Sequence, residues 1–126
     1  MHDAYEKIFN QRRYDLAGDY FEPDFREHNL HIDDGVAASV AHQQALGGYP
    51  CTILRTVQDE DMWFVHGLYH FLPVAMSVVD IYRLNMAGKV VEHWDAVTCL
   101  TDDRGAASIA GAAGNGQELP PAEKTK

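Results

Sequence analysis

The N-terminal part of the chain carries Tyr5, Ile8, Phe9, Leu16, Ala17, Tyr20 and Phe21 at intervals of three and four, the spacing of one helix face. The polar run Asn10-Gln11-Arg12-Arg13 divides this stripe into two short helices, Gly18 weakens the second, and Pro23 closes it. Residues 24–30 read as a short strand or an extended turn. Asp33-Asp34-Gly35 then turns the chain, and either aspartate is placed to cap a helix predicted over 36–46. Gly47-Gly48 stops that helix and Pro50 follows.

From Cys51 the pattern changes to β-rich stretches over 51–58, 62–71, 76–84 and 89–100. Asp59-Glu60-Asp61, Pro73 and the loop Asn85-Met86-Ala87-Gly88 separate them. Helices first and consecutive antiparallel strands afterwards imply an α+β domain over 1–100, with the helices packed on one face of a curved sheet. Residues 101–126 are dominated by glycine, alanine and proline. Such side chains do not offset the entropy of ordering, so a mobile tail is expected there.

Composition narrows the class. A chain of 126 residues fits one domain and is long enough to bury a core without disulfides. No run of about 18 apolar residues occurs, so no transmembrane helix is expected. The opening Met1-His2-Asp3-Ala4-Tyr5-Glu6 lacks the basic start and apolar stretch of a signal peptide. The two cysteines, Cys51 and Cys99, lie in strand-like apolar contexts and read as reduced core residues of a cytoplasmic protein. A formal net charge of −9 argues against binding nucleic acid or an anionic membrane.

Three stretches resemble the SnoaL-like polyketide cyclase branch of the nuclear-transport-factor-2-like superfamily. They are Tyr20-Phe21-Glu22-Pro23-Asp24-Phe25-Arg26-Glu27-His28-Asn29, Asp34-Gly35 at the helix start, and the paired segments Asp80-Ile81-Tyr82-Arg83-Leu84 and Gly88-Lys89-Val90-Val91-Glu92-His93-Trp94-Asp95. The last is the most specific. The resemblance spans roughly 4–98 and departs at Leu30, where the family usually has proline after His-Asn. It implies a cone-shaped barrel of a strongly bent antiparallel sheet packed with three N-terminal helices. It also implies an internal cavity and usually a dimer.

The final hairpin carries the candidate chemistry. If residues 85–88 are the whole loop, Leu84 pairs with Lys89, Asp80 sits opposite His93, and Asp95 points to the same face. Val78, Tyr82, Val91 and Val97 share that face, whereas Arg83, Glu92 and Trp94 take the other, with Arg83 and Glu92 as a diagonal pair. A one-residue bulge would reverse the arrangement and put Trp94 beside Asp80. The bland alternative is that Asp80 and His93 merely satisfy each other. In the family-like fold His28 and Asn29 fall at the cavity wall or mouth, where His28 either polarises a substrate carbonyl or is a turn histidine bonded to backbone. On the second strand His66 and His70 share a face with Met62, Phe64 and Leu68; if that face is concave, His66 approaches Asp80. His2 and His42 read as surface residues, and His31, Asp33 and Asp34 as solvated turn residues. No metal is expected. His66 and His70 lie too far apart along a strand for one ion, so a metal site would have to combine His28, His66 and an acid.

These features point to a cofactor-independent enzyme acting on a small apolar carbonyl compound by aldol-type cyclisation, isomerisation or dehydration. Asp95 is the expected general acid/base, with Asp80 and His93 as partners. His28, Asn29, His66, Tyr82 and Trp94 are the expected substrate contacts. The alternative is a non-catalytic module binding a small molecule or a partner chain on the same scaffold. A homodimer is expected through the outer sheet face, where Val79, Ile81 and Trp94 would otherwise be partly exposed.

Overall fold

A computed structural model describes residues 1–71 and 74–100. The expected turn at Pro73 and the expected tail over 101–126 lie outside the described residues. The N-terminal helix begins as His2–Ala4 and widens into a π-helical stretch over Tyr5–Asn10, closed by the bond from Gln11 N to Glu6 O at 2.9 Å. Arg12, at a φ of 58°, turns the chain into a 3-10 helix, Tyr14–Asp19. The polar run thus splits the apolar stripe as anticipated, and Tyr5, Ile8, Phe9, Ala17 and Phe21 are its buried members.

The strands are β1 (Phe21–Glu27), β2 (Cys51–Asp59), β3 (Met62–Phe71), β4 (Val74–Leu84) and β5 (Val90–Leu100), in the spatial order β1-β5-β4-β3-β2. β2 to β5 form the expected antiparallel meander. β1, however, runs parallel to β5, so the curled sheet is mixed and unclosed rather than antiparallel and closed. The long helix Val36–Ala45 explains this, since it carries the chain from the β1 edge to β2 at the opposite edge. Pro23 does not end a helix; it lies within β1, an edge strand, where its missing N–H is tolerated. Neither Asp33 nor Asp34 caps the long helix. Gly35 occupies that position, and Asp34 Oδ1 accepts a bond from Glu27 N at 2.8 Å.

The β4–β5 register differs from the expected one by two residues. Asn85 N bonds Lys89 O at 2.9 Å, so the loop is one residue shorter at its base than anticipated. A bulge then falls between the pairs Leu84–Val90 and Arg83–Glu92, leaving Val91 as the extra residue. Each change alone would reverse the faces; together they restore them. Asp80 consequently faces Asp95 across the strands, and His93 faces Tyr82. Val90, not Val91, fills the core position and is fully buried.

The core lies between the helices and the concave sheet face, which presents Val65 and Tyr69 of β3, Val78 and Tyr82 of β4, and Val90 of β5. Val65 pairs with Asp80, so the concave face of β3 is the Tyr69 face and His66 points away from it. Cys51 is buried in this core, but Cys99 is exposed, because β5 runs on past the packed region over its last residues. No helix among the described residues is long and apolar enough to cross a membrane.

Gly35 joins the long helix to β1. It has a φ of 93°, its N–H donates to Phe25 O at 2.9 Å, and a Cβ there would stand 2.7 Å from Pro23 O. Gly35→Ala should therefore cost about 1–3 kcal/mol of stability in thermal or denaturant unfolding. Gly18→Ala, where a Cβ meets nothing within 4 Å, should cost nothing or stabilise.

Candidate active site

Asp80, in the middle of β4, is 4% exposed. A lone carboxylate at such a depth is costly, so its oxygens need donors. Four elements supply or support them. Tyr5, from the N-terminal helix, donates to Oδ2 at 2.6 Å, and Tyr69 of β3 donates to the same oxygen at 2.5 Å. His93 Nε2 of β5 donates to Oδ1 at 2.8 Å. His93 Nδ1 in turn meets both carboxylate oxygens of Glu27, from β1, at 2.8 and 2.9 Å. Tyr82 adds a hydroxyl 2.7 Å from that of Tyr5 and stacks its ring on His93.

His93 thus has a carboxylate at each nitrogen. A neutral ring would turn a lone pair toward one of them, so the doubly protonated imidazolium fits the geometry. Burial pulls its pKa down, but the bonds and charges of Asp80 and Glu27 outweigh burial and raise it to about 10. Burial, then the Asp80 charge, holds the Tyr5, Tyr69 and Tyr82 hydroxyls well above the ordinary tyrosine value, so they remain neutral donors.

Asp95 is different. It is half-buried, and its Oδ2 accepts a bond from Asn29 Nδ2 at 2.9 Å, whereas its Oδ1 has no partner among the described residues. The Asn29 amide is itself fixed. Its Oδ1 accepts from His31 N at 2.9 Å, which assigns Nδ2 to Asp95, and its N–H donates to Glu27 Oε1 at 3.0 Å. Asp95 faces a partly open cavity of about 460 Å³ between the concave sheet, the N-terminal segment and the long helix, largely apolar, with Phe25, Val40, Met76 and Val78 among its walls. That volume lies in the range of small-molecule sites, about 300–1,000 Å³.

No protein-family model matches the chain. No curated protein matches it either. Solved structures do. TsrD from Streptomyces laurentii shares 16% identity, with 88% of this chain and 92% of that chain covered and a TM-score of 0.64. An NTF-2-like protein of unknown function from Burkholderia xenovorans LB400 gives 15% identity, 84% and 86% coverage and a TM-score of 0.66. A SnoaL-like polyketide cyclase from Agrobacterium tumefaciens gives 13%, 77% and 87%, and 0.62. The chain has the nuclear-transport-factor-2-like fold.

Within this nuclear-transport-factor-2-like cone, Asp80, His93, Asp95, Asn29 and Tyr82 line one cavity. His28, Trp94 and His66 do not line it. His28 stacks on Trp94 with ring centroids 4.7 Å apart, and its Nε2 meets Glu92 Oε2 at 2.7 Å. Glu92 also receives Arg83 at 2.6 Å, as its direct rather than diagonal neighbour. Together the two partners, His28 first, lower the Glu92 pKa. His66 sits between Arg55 Nη1 at 3.0 Å and Ser77 Oγ at 2.8 Å; burial and then Arg55 lower its pKa. Strand parity is the reason: neighbours of an inward residue point outward. Residues that sequence reasoning missed are Glu27, Tyr5 and Tyr69. Glu27 alternates with buried Phe25, and Tyr69 with buried Val65, so the signal was present in each strand. Tyr5 stood in the helical stripe, where its hydroxyl passed as incidental. His42, taken for a surface residue, lines the cavity beside Tyr49.

Among the described residues, Asp80, His93 and Asp95 place ligand atoms within 4.8 Å of one another, a spacing open to a cation. His93 and Asp80 already spend those atoms on each other and on the tyrosines, so the donor set fits a proton network better than a metal.

The raised His93 pKa makes a signed prediction. The stabilisation is fully present below the ordinary value of 6.5 and is lost as pH rises through about 10. Melting temperature should therefore fall between those values in the wild type. His93→Gln should be less stable at neutral pH and should flatten that slope; equal slopes would mean His93 is not an imidazolium.

Proposed function

We propose that the protein is a SnoaL-like acid/base enzyme that needs no cofactor and moves a proton at a carbon next to a carbonyl in a small, mostly apolar substrate. The observation that carries this reading is the contrast between two neighbouring carboxylates. Asp80 is saturated by hydrogen bonds, whereas Asp95 keeps one oxygen open to the cavity. A base must be within reach of the proton and free to take it. Asp95 meets both conditions, and Asp80 only the first.

In an aldol-type cyclisation Asp95 Oδ1 takes the α-proton, and the C–H electron pair becomes the enolate. Asn29 Nδ2, which spends one hydrogen on Asp95, has a second for a substrate oxygen. The enolate carbon attacks a second carbonyl of the same molecule, and the new alkoxide takes the proton back from Asp95. Isomerisation uses the same base with the proton returned to a different carbon. His93, Asp80 and Glu27 act through position: they fix β5, which carries Asp95, and the end of β1, which leads into Asn29. The similarity to a structure described as a SnoaL-like polyketide cyclase supports this class of chemistry.

The rival reading is a binding module, and one observation favours it: Asp80 and His93 satisfy each other, as a purely structural pair would. Hydrogen–deuterium exchange at the α-carbons of a panel of alkyl and aryl ketones, followed by NMR, separates the two. Asp95→Asn keeps shape and should fold normally, yet lower exchange about a hundredfold or more, the usual contribution of a positioned base. Saturable ketone binding with no exchange by the wild type would instead establish the binding module.

We also propose that two copies associate through the outer sheet face, where Val79, Ile81 and Trp94 remain half-buried in the single chain. Light scattering at micromolar concentration should give twice the 14.1 kDa chain mass. A monomer mass would count against it.

A further inference from the structure

The long helix turns Val36, Val40 and Gln43 toward the cavity, at the spacing of four and then three that defines one helix face. Two of these positions are apolar, as an inward stripe requires. The third is a glutamine, 3% exposed, with Ser39 and His42 of the same helix also on the cavity wall. Among the described residues no hydrogen bond reaches its carboxamide, and Oε1 is shielded from solvent without a partner. Its backbone carbonyl is occupied, accepting from Gly48 N at 2.7 Å, so the helix end does not account for the side chain. Buried polar atoms in folded proteins nearly always have partners, and an exception needs a reason. Leucine or methionine would fill this position at no polar cost.

We propose that Gln43 is a specificity-determining residue whose carboxamide, held by no hydrogen bond among the described residues, rotates to let Oε1 accept one from a hydroxyl group of the cavity's ligand. The inference rests on the proposed small-molecule role of the cavity but not on Asp95 being a base. It narrows the substrate class to an apolar skeleton bearing an alcohol or phenol hydroxyl, docked against the helix wall. The carbonyl whose α-carbon is deprotonated goes to the strand wall, where Asp95 lies. A hydroxyl compound satisfies the stranded oxygen; an ether or a plain hydrocarbon of the same shape leaves it stranded. That difference discriminates among ligands of equal size.

Calorimetric titration with 2-naphthol, 2-methoxynaphthalene and naphthalene tests this, because the three share one ring system and only 2-naphthol carries an O–H donor. The wild type should prefer 2-naphthol by about tenfold, the worth of one net hydrogen bond. Gln43→Leu should bind all three within about twofold of one another and should melt higher, since it removes an unsatisfied polar group. Asp95→Asn should keep the hydroxyl preference. In the wild type the Gln43 side-chain amide resonances should move on adding 2-naphthol and stay in place with naphthalene, a readout that does not depend on the variant folding. The proposal is overturned if the wild type shows no hydroxyl preference, if it fails to bind 2-naphthol at about 1 mM, or if Gln43→Leu retains the preference. Should Asp95→Asn abolish the preference while Gln43→Leu keeps it, the hydroxyl docks at Asp95 and this assignment falls. Loss of α-proton exchange chemistry alone would leave the Gln43 result standing and would count only against the catalytic reading.

Discussion

The burial of the Asp80 carboxylate is the constraint on which the rest of the site depends. A charge removed from water must be met by donors, and no single strand or helix supplies enough of them. Tyr5 comes from the N-terminal helix, Tyr69 from β3 and His93 from β5, and His93 brings in Glu27 from β1. One acid therefore draws together a helix and four strands. Removing any donor strands a charge in the core, which costs more than the bond itself would suggest. The π-helical widening belongs to this account, because it begins at Tyr5, the helical residue whose hydroxyl reaches the acid.

That commitment divides the labour between two carboxylates a strand apart. Asp80 is the anchor and Asp95 the proposed base, although they face each other in the ladder. Their environments separate them: three hydrogen bonds at a buried position against one bond at a half-buried one. Pairs of acids set apart by surroundings are a recurring way to obtain one structural and one working group from the same chemistry. Asn29 links the two halves, since its backbone N–H is tied to the Glu27 carboxylate and its side chain to Asp95. Movement in the buried clamp would therefore be felt at Asp95.

Much of the architecture was legible in the chain. The split helical stripe, the long helix ended by two glycines and the four alternating segments are local patterns, and local patterns follow from side-chain period and turn chemistry. So was the face shared by Asp80, Tyr82, His93 and Asp95. The expected register of that hairpin was nevertheless off by two residues. The face survived because an error of two leaves strand parity unchanged; an error of one would have exchanged Asp95 for Trp94 at the cavity.

What the chain alone determined, then, was which residues travel together: alternation binds Asp80 to Tyr82, His93 to Asp95, and Val65 to Tyr69 wherever the sheet goes. Only the tertiary structure decided which of two alternating faces turns inward. His66 was a good candidate until the helices docked on the opposite side of β3. The parallel pairing of β1 with β5, the meeting of Glu27 with His93, and the stranding of Gln43 against the cavity likewise join segments tens of residues apart. A strand's period is set by its own backbone, whereas its inside and outside are set by what packs against it, and that partner is written elsewhere in the chain.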